Sequence, residues 1–449
     1  MPENKYDLII IGAGPGGYLA AERAGAKGKK TLLIEKDKRL GGVCLNKGCI
    51  PTKALLNSAK IFYAAQSSTQ FGVSVSGASY DLRKAMDWKA KTVTTLTKGI
   101  EYQMKRFNVD VVSGSAQIKN RSTVAVQNKE FITENIIIAT GSSPIKLHIP
   151  GAEKSNVLTS DEILEITELP KDLVIIGGGV IGIEFASYFS LLGVNVTVIE
   201  LLPEILPNFD SEIASMMRQS LKHCNIITNA RVLSIDDNKV VFQKNGKEES
   251  CPADIVLQAV GRKTNVNSIG LEDINIDYDD HGIKVDERMQ TNIPNVYAIG
   301  DVTGKTLLAH TAYRMGEVAV NNILMHRDRM RYDAVPWVVY SYPELSGVGF
   351  TEEEAKKRGY KVKVGSLQMR ANGRFLAEHG NEKGICKVVI DAHSERLLGV
   401  TILGGNNSEI IYGVAAMIEA EFRAKDIKDV IFPHPTVSEI IKDVLSEMN

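Results

Sequence analysis

A five-part unit occurs twice in this chain at identical spacing, and that repeat constrains the fold more than any other feature. The first copy runs from the apolar stretch Tyr6–Ile11 into Gly12-Ala-Gly14-Pro-Gly-Gly17. A small-residue helix pattern follows over Tyr18–Ala26, then the apolar stretch Thr31–Ile34 and Glu35. The second copy runs from Leu173–Ile176 into Gly177-Gly-Gly179-Val-Ile-Gly182, a helix pattern over Glu184–Leu192, the stretch Asn195–Ile199, and Glu200. First glycine to acid is 35 − 12 in one copy and 200 − 177 in the other, 23 positions both times. The physics of a dinucleotide site demands this order. The first glycine permits a tight turn, the second lets backbone approach a pyrophosphate, and the third lets helix pack on strand. The pyrophosphate rests on the helix N-terminus, where unpaired N–H groups and the helix dipole favour an anion. The acid at the next strand end accepts hydrogen bonds from ribose hydroxyls. Two such units predict two dinucleotide sites. Glu200 is followed by Leu201 and Leu202 rather than arginine, so its carboxylate would repel a 2′-phosphate and favours NAD over NADP.

Other segments fit a chain that leaves one domain and returns to it. Ile136–Ala139 followed by Thr140-Gly141-Ser142 reads as strand and turn, and Val256–Val260 with Gly261-Arg262 repeats that form about 120 residues later. Asn292–Asp301 reads as a further strand ending in Gly300 and a carboxylate. Beyond Val335 the pattern becomes strand-rich, punctuated by Pro336, Pro343 and Gly347. Helical periodicity returns over Glu409–Ala420 and Val437–Leu445. At 449 residues the chain exceeds what one core serves. A formal net charge of -1 gives no electrostatic case for a nucleic-acid or membrane partner. The polar start and the short apolar runs match neither a signal peptide nor a membrane span, so a cytoplasmic protein is expected.

Of the five cysteines, Cys224, Cys251 and Cys386 are scattered and read as buried or idle thiols. Cys44 and Cys49 stand together in Gly41-Gly-Val-Cys44-Leu-Asn-Lys-Gly-Cys49-Ile-Pro51-Thr-Lys53. In a reducing compartment a close pair is catalytic or metal-binding more often than structural. Zinc would need two further ligands at comparable local spacing, and none follows. The segment also lies just after the first ribose acid, where the chain should return to its cofactor.

Gly41–Lys53 resembles the redox-disulfide signature of the pyridine nucleotide-disulfide oxidoreductases. The resemblance extends over both glycine loops, Ala139–Ser142, Ala259–Arg262, Asn295–Asp301 and the closing His434-Pro435-Thr436. Val43 and Lys47 depart from the commonest family wording and are taken as tolerated variation. The resemblance implies an α/β chain with two Rossmann-like dinucleotide-binding domains and a C-terminal α+β dimerisation domain. Expected limits are 1–146 for the first part of the FAD-binding domain, 147–264 for the NAD-binding domain, 265–333 for the return to the first domain, and 334–449 for the interface domain.

Carried over residue by residue, the resemblance implies FAD held at Gly12, Gly14, Gly17, Glu35, Lys36, Gly42, Lys53, Ala116, Thr140, Gly141, Asp301 and Ala309. NAD would lie at Gly177, Gly179, Gly182, Glu184, Glu200, Val232 and Gly261. Cys44 would be the thiol that meets substrate and Cys49 the one beside the flavin. Lys53 and Glu184 would pair on the hydride path, and His434 would be the acid/base. Glu439 has two readings: it orients His434, or it caps the helix that follows in a Thr436-x-x-Glu439 box. His310 reads as structural. In the family the terminal domain pairs two subunits, so a homodimer with shared active sites is expected.

The wording around the cysteines is that of family members that oxidise protein-bound dihydrolipoyl groups and pass hydride to NAD. The expected partner is therefore a lipoyl-bearing protein of a 2-oxo acid dehydrogenase, acetoin or glycine-cleavage system. Glutathione-type reductases carry arginines where Glu200-Leu-Leu stands, and mercuric and large thioredoxin reductases add a C-terminal cysteine or selenocysteine pair. A flavin-bearing subunit without turnover would not need Cys44, Cys49, Lys53, Glu184 and His434 together.

Overall fold

The computed structural model describes residues 4–448. Three layers of sheet organise it, each built from the apolar runs that the sequence marks as strands. The first sheet takes β1 (Lys5–Ile11), β2 (Thr31–Glu35), β3 (Asp110–Ser113), β4 (Ala116–Asn120), β5 (Thr123–Val126) and β6 (Lys129–Ile138) in the order β3-β2-β1-β6-β5-β4. The strand Val296–Ala298 joins β6 in parallel from far along the chain. β1 lies between β2 and β6, with Ile11 level with both Ile34 and Ile138. Its flanking strands are parallel and buried on both faces, which is why Leu8–Ile11 reads as a continuous apolar run. Helices α1 (Pro15–Ala26), α2 (Gly42–Lys47), α3 (Cys49–Ser67) and α4 (Leu82–Arg106) follow in this part of the chain.

The second sheet is wholly parallel, in the order Cys224–Ile227, Asn195–Ile199, Asp172–Ile176, Ile255–Gln258, Val157–Thr159. Its glycine loop feeds α5 (Val180–Leu191), a helix buried on nearly every side. The chain crosses between the two sheets through a short antiparallel pair, Ser142–Pro144 on Arg262–Thr264. The third sheet is antiparallel, ordered Trp337–Val339, Leu345–Gly349, Leu397–Leu403, Ile385–Asp391, Val362–Gln368. Helices Ile411–Glu419 and Glu439–Glu447 cover it through a core that includes Val388, Ile402, Val414 and Ile441. A separate cluster welds it to the second sheet's lobe, with Ile213 and Met217 against Val339 and Leu345.

Several element boundaries differ from expectation; the first glycine-loop helix, expected from Tyr18, starts at Pro15. The helix expected from Glu184 starts at Val180, because its first turn is the glycine loop itself. The helix expected over 409–420 is a 3-10 turn, Asn407–Glu409, followed by Ile411–Glu419. The helix expected over 437–445 starts two residues later and runs Glu439–Glu447. There the Thr436 hydroxyl donates to the Pro433 carbonyl instead of capping the helix. Of the thiols read as idle, Cys386 is buried while Cys224 and Cys251 are half-buried. Burial pushes the Cys251 thiol up to about 11 and raises the other two as well.

Candidate active site

The two glycine loops are built alike to the level of single atoms. Gly12 and Gly177 take the left-handed φ values of 104° and 109° that open the turn. A Cβ on Gly17 would overlap the Gly12 carbonyl, and one on Gly182 the Gly177 carbonyl, so the third glycine is required by packing. Gly14 and Gly179 are different: a Cβ there would meet nothing within 4 Å. Each is the N-cap of a 12-residue helix without a side-chain cap. What lies in front of them is open space bounded by unpaired amides, the shape and polarity that a pyrophosphate fills.

The two acids also repeat each other. Glu35 accepts from the Ala13 amide at 2.7 Å and the Asp37 amide at 2.9 Å. Glu200 accepts from the Gly178 amide at 2.6 Å and the Leu202 amide at 2.8 Å. In each unit one carboxylate thus pins its own glycine loop through two backbone amides. Glu200→Ala is expected to raise the KM for NAD+ roughly tenfold, because it frees two amides as well as removing an acceptor. It should not make NADP+ a good substrate. Efficient NADP+ reduction by that variant, in a steady-state comparison, would overturn the point.

A cavity of about 860 Å³ runs from the first glycine loop to the cysteines. Gly12, Gly14, Glu35, Lys36 and Gly42 line it from the first unit, and Ala116, Thr140, Gly141, Asp301 and Ala309 from the surrounding elements. Gly17 lies behind the loop rather than on the cavity. Asp301 accepts from the Ser142 hydroxyl at 2.6 Å, and Arg262 donates to that same hydroxyl at 2.8 Å. Burial pushes the Asp301 carboxyl above its ordinary value, against the pull of Ser142 and Arg262. Sequence reading passed over this relay, whose members lie about 120 and 160 residues apart.

Cys44 and Cys49 form a disulfide with a Cα–Cα distance of 4.7 Å, and both line the cavity. Gly48 breaks the chain between α2 and α3, which leaves Cys49 as the first residue of a 19-residue helix. A sulfur at that position sits against the positive end of the helix dipole and is favoured as a thiolate. Asn46 holds the bend by donating to the Leu40 and Gly42 carbonyls. Lys47 pairs with Asp37 at 3.4 Å.

Across the cavity Lys53 Nζ meets Glu184 Oε2 at 2.8 Å and Oε1 at 3.0 Å. Glu184 is buried in the second turn of α5, where an unpaired charge would be costly. It receives a third hydrogen bond from the Tyr340 amide, and the Tyr340 ring lies 4.4 Å beneath Lys53 Nζ. Three separate parts of the chain therefore meet on one carboxylate. No local sequence signal marks Tyr340, which is 156 residues from its partner.

The NAD-assigned Gly177, Gly179, Gly182, Glu200, Val232 and Gly261 stand on the second lobe, outside this cavity. Val232 belongs to the strand Ala230–Ile235 and packs into the core beside the second sheet. His310 lines the cavity and binds the Pro336 carbonyl at 2.7 Å, and burial holds its pKa below the ordinary value.

His434 and Glu439 also lie outside the cavity. The His434 side chain is 82% exposed, with Nδ1 3.0 Å from Glu439 Oε1. Glu439 Oε2 accepts from the Thr436 amide at 2.8 Å, so one carboxylate both orients the ring and makes half of the capping box. The Thr436 amide, then His434, hold this carboxyl below its ordinary value. A depressed carboxyl contributes stability above the unfolded-state value, about pH 4, and loses it as pH falls through the lower folded value. The melting-temperature difference between the protein and Glu439→Gln should therefore shrink on strong acidification. A difference constant from pH 7 to 3 would contradict this.

This chain matches the pyridine nucleotide-disulphide oxidoreductase model over residues 6–316 and that family's dimerisation domain over residues 335–445. It belongs to the pyridine nucleotide-disulphide oxidoreductases, flavoenzymes that use FAD and a nicotinamide cofactor, and the dimerisation domain supports assembly as a homodimer. It is 40% identical to a dihydrolipoyl dehydrogenase of Bacillus subtilis, covering 97% of this chain and 96% of that one. It is 39% identical to the Geobacillus stearothermophilus dihydrolipoyl dehydrogenase, over 97% and 94%. Among solved structures it resembles the HOCl-induced flavoprotein disulfide reductase RclA from Escherichia coli, at 30% identity and a TM-score of 0.87 over 99% of this chain and 100% of that one. Within the family the chain groups with the dihydrolipoyl dehydrogenases.

Proposed function

We propose that this enzyme oxidises protein-bound dihydrolipoyl groups to the lipoyl disulfide and delivers the electron pair to NAD+. The observation that carries the reading is the Cys44–Cys49 disulfide opening into the same cavity as the first glycine loop and the Lys53–Glu184 pair. A dithiol entering at Cys44 exchanges with that disulfide.

His434 of the partner subunit takes a proton from one dihydrolipoyl thiol. The resulting thiolate attacks Cys44 Sγ, the Cys44–Cys49 bond breaks, and Cys49 leaves as a thiolate favoured by the α3 N-terminus. The second lipoyl thiol then attacks the sulfur joined to Cys44, which closes the lipoyl disulfide and returns Cys44 as a thiol. The protein's two cysteines are now reduced and the substrate oxidised by two electrons. Bound FAD supplies the two-electron relay from this pair to NAD+. Lys53, fixed by Glu184 and the Tyr340 ring, presents a cation at the cavity wall, and Asp301 and Glu35 would hold the flavin nucleotide.

The sharing of sites between subunits is supported by the position of His434, which is exposed and does not line the cavity that its own chain's cysteines line. The partner is a lipoyl-bearing protein of a 2-oxo acid dehydrogenase, acetoin or glycine-cleavage system. No helix among the described residues is long and apolar enough to cross a membrane.

The deciding experiment compares NADH formation from dihydrolipoamide with NADPH oxidation by glutathione disulfide, using FAD-loaded protein. Activity confined to the first assay is the expected result. Activity confined to the second would overturn both the dithiol substrate and the argument from Glu200.

A further inference from the structure

Asn372 lies outside the cavity and uses both ends of its amide to join two distant segments. It is 4% exposed and stands at the N-cap of the short helix Gly373–His379. Its Oδ1 accepts from the Phe375 amide at 3.0 Å, and its Nδ2 donates to the Thr436 carbonyl at 2.9 Å. Chemistry fixes the orientation of the amide, because a backbone N–H can face only the oxygen and a carbonyl only the nitrogen.

Thr436 is the node of the turn that carries His434. Its amide donates to Glu439 Oε2, its hydroxyl donates to the Pro433 carbonyl at 2.8 Å, and that hydroxyl also meets Ser438 Oγ at 2.8 Å. Pro433, His434 and Pro435 are themselves exposed. An imidazole on an exposed turn needs an anchor to work at a defined height, and a buried amide bound to the turn's central carbonyl provides one.

We infer that Asn372 is a positioning residue for His434, setting the turn that presents the imidazole to the partner subunit's disulfide. This rests on the reading of His434 as the acid/base. The bland competitor is a helix cap with no bearing on catalysis. Two substitutions separate the roles. Asn372→Ser keeps a good N-cap oxygen but is too short to reach Thr436. Asn372→Asp also keeps the cap and replaces the donor by a carboxylate oxygen that repels the Thr436 carbonyl.

The test measures kcat with dihydrolipoamide and NAD+ in the FAD-loaded protein, beside NADH oxidation by ferricyanide, which needs neither thiol nor imidazole. Each variant is also made in the His434→Gln background. Asn372→Ser is expected to lower dithiol kcat roughly tenfold, the scale of a small misplacement of a catalytic group. Asn372→Asp should lower it further, with ferricyanide turnover within about twofold of the parent for both. In the His434→Gln background neither change should lower dithiol turnover again, since a group acting only through His434 has nothing left to act on. The inference is overturned if both variants keep dithiol kcat within twofold, if ferricyanide turnover falls in parallel, or if the loss persists undiminished without His434. Near-normal turnover by His434→Gln alone would instead remove the reading beneath it, an outcome visible before Asn372 is touched.

Discussion

Cys44→Ser is expected to abolish turnover with dihydrolipoamide while the protein folds and retains FAD. A serine hydroxyl forms no disulfide with Cys49 Sγ, so there is no disulfide for the dithiol to open, and among the described residues no other cysteine lines the cavity. Of the other thiols, Cys386 is buried, and Cys224 and Cys251 are half-buried and raised by burial. The substitution removes one atom's chemistry and little volume. The Asn46 bonds to Leu40 and Gly42, which shape the bend, do not involve the sulfur. The measurement is steady-state NADH formation together with flavin content per chain. Turnover near that of the parent would sink the assignment of Cys44, and loss of flavin would mean that the disulfide supports the cavity rather than its chemistry.

His434→Gln is expected to reduce the same activity by roughly 10²–10⁴-fold, the range for a lost general acid/base. Glutamine still fits a polar, exposed turn and still meets Glu439, but it carries no titratable proton. The geometry adds a sharper form of this prediction. A mixed dimer of one Cys44→Ser and one His434→Gln subunit contains one site with both lesions and one with neither, provided each site draws its histidine from the other chain. Such a dimer should regain about half the parental activity, although each homodimer is inactive. If each subunit served its own cysteines, the mixed dimer would be dead. Activity from monomers in sedimentation runs would refute the shared site outright.

The parts of the site that were legible in the sequence are those governed by local rules. Gly12 and Gly177 must turn the chain at positive φ, Gly17 and Gly182 must let a helix lie on its strand, and Gly14 and Gly179 must leave room in front of a helix. These demands act over a few residues, so they recur at the same spacing wherever the unit occurs. The cysteine pair stood out by its close spacing, and the resemblance of Gly41–Lys53 to a family signature implied its disulfide; the structure closes that disulfide and starts a helix at Cys49.

Contacts between remote segments were legible only where the family resemblance carried them. The resemblance pairs Glu184 with Lys53, but nothing near it announces the Tyr340 amide as the donor of its third hydrogen bond. The relay Arg262–Ser142–Asp301 and the bond from Asn372 to Thr436 likewise join segments that only packing brings together. The helix beginning at Glu439 was placed two residues early because the Thr436 hydroxyl had a better acceptor in the Pro433 carbonyl. Periodicity and spacing, which need only neighbouring residues, thus determined the two nucleotide units and marked the cysteine pair, and the family resemblance added the pair's redox role and the dimerisation domain. Tertiary structure alone decided how Glu184 and Asp301 are satisfied, because a buried charge takes whichever donor the folded chain brings within reach.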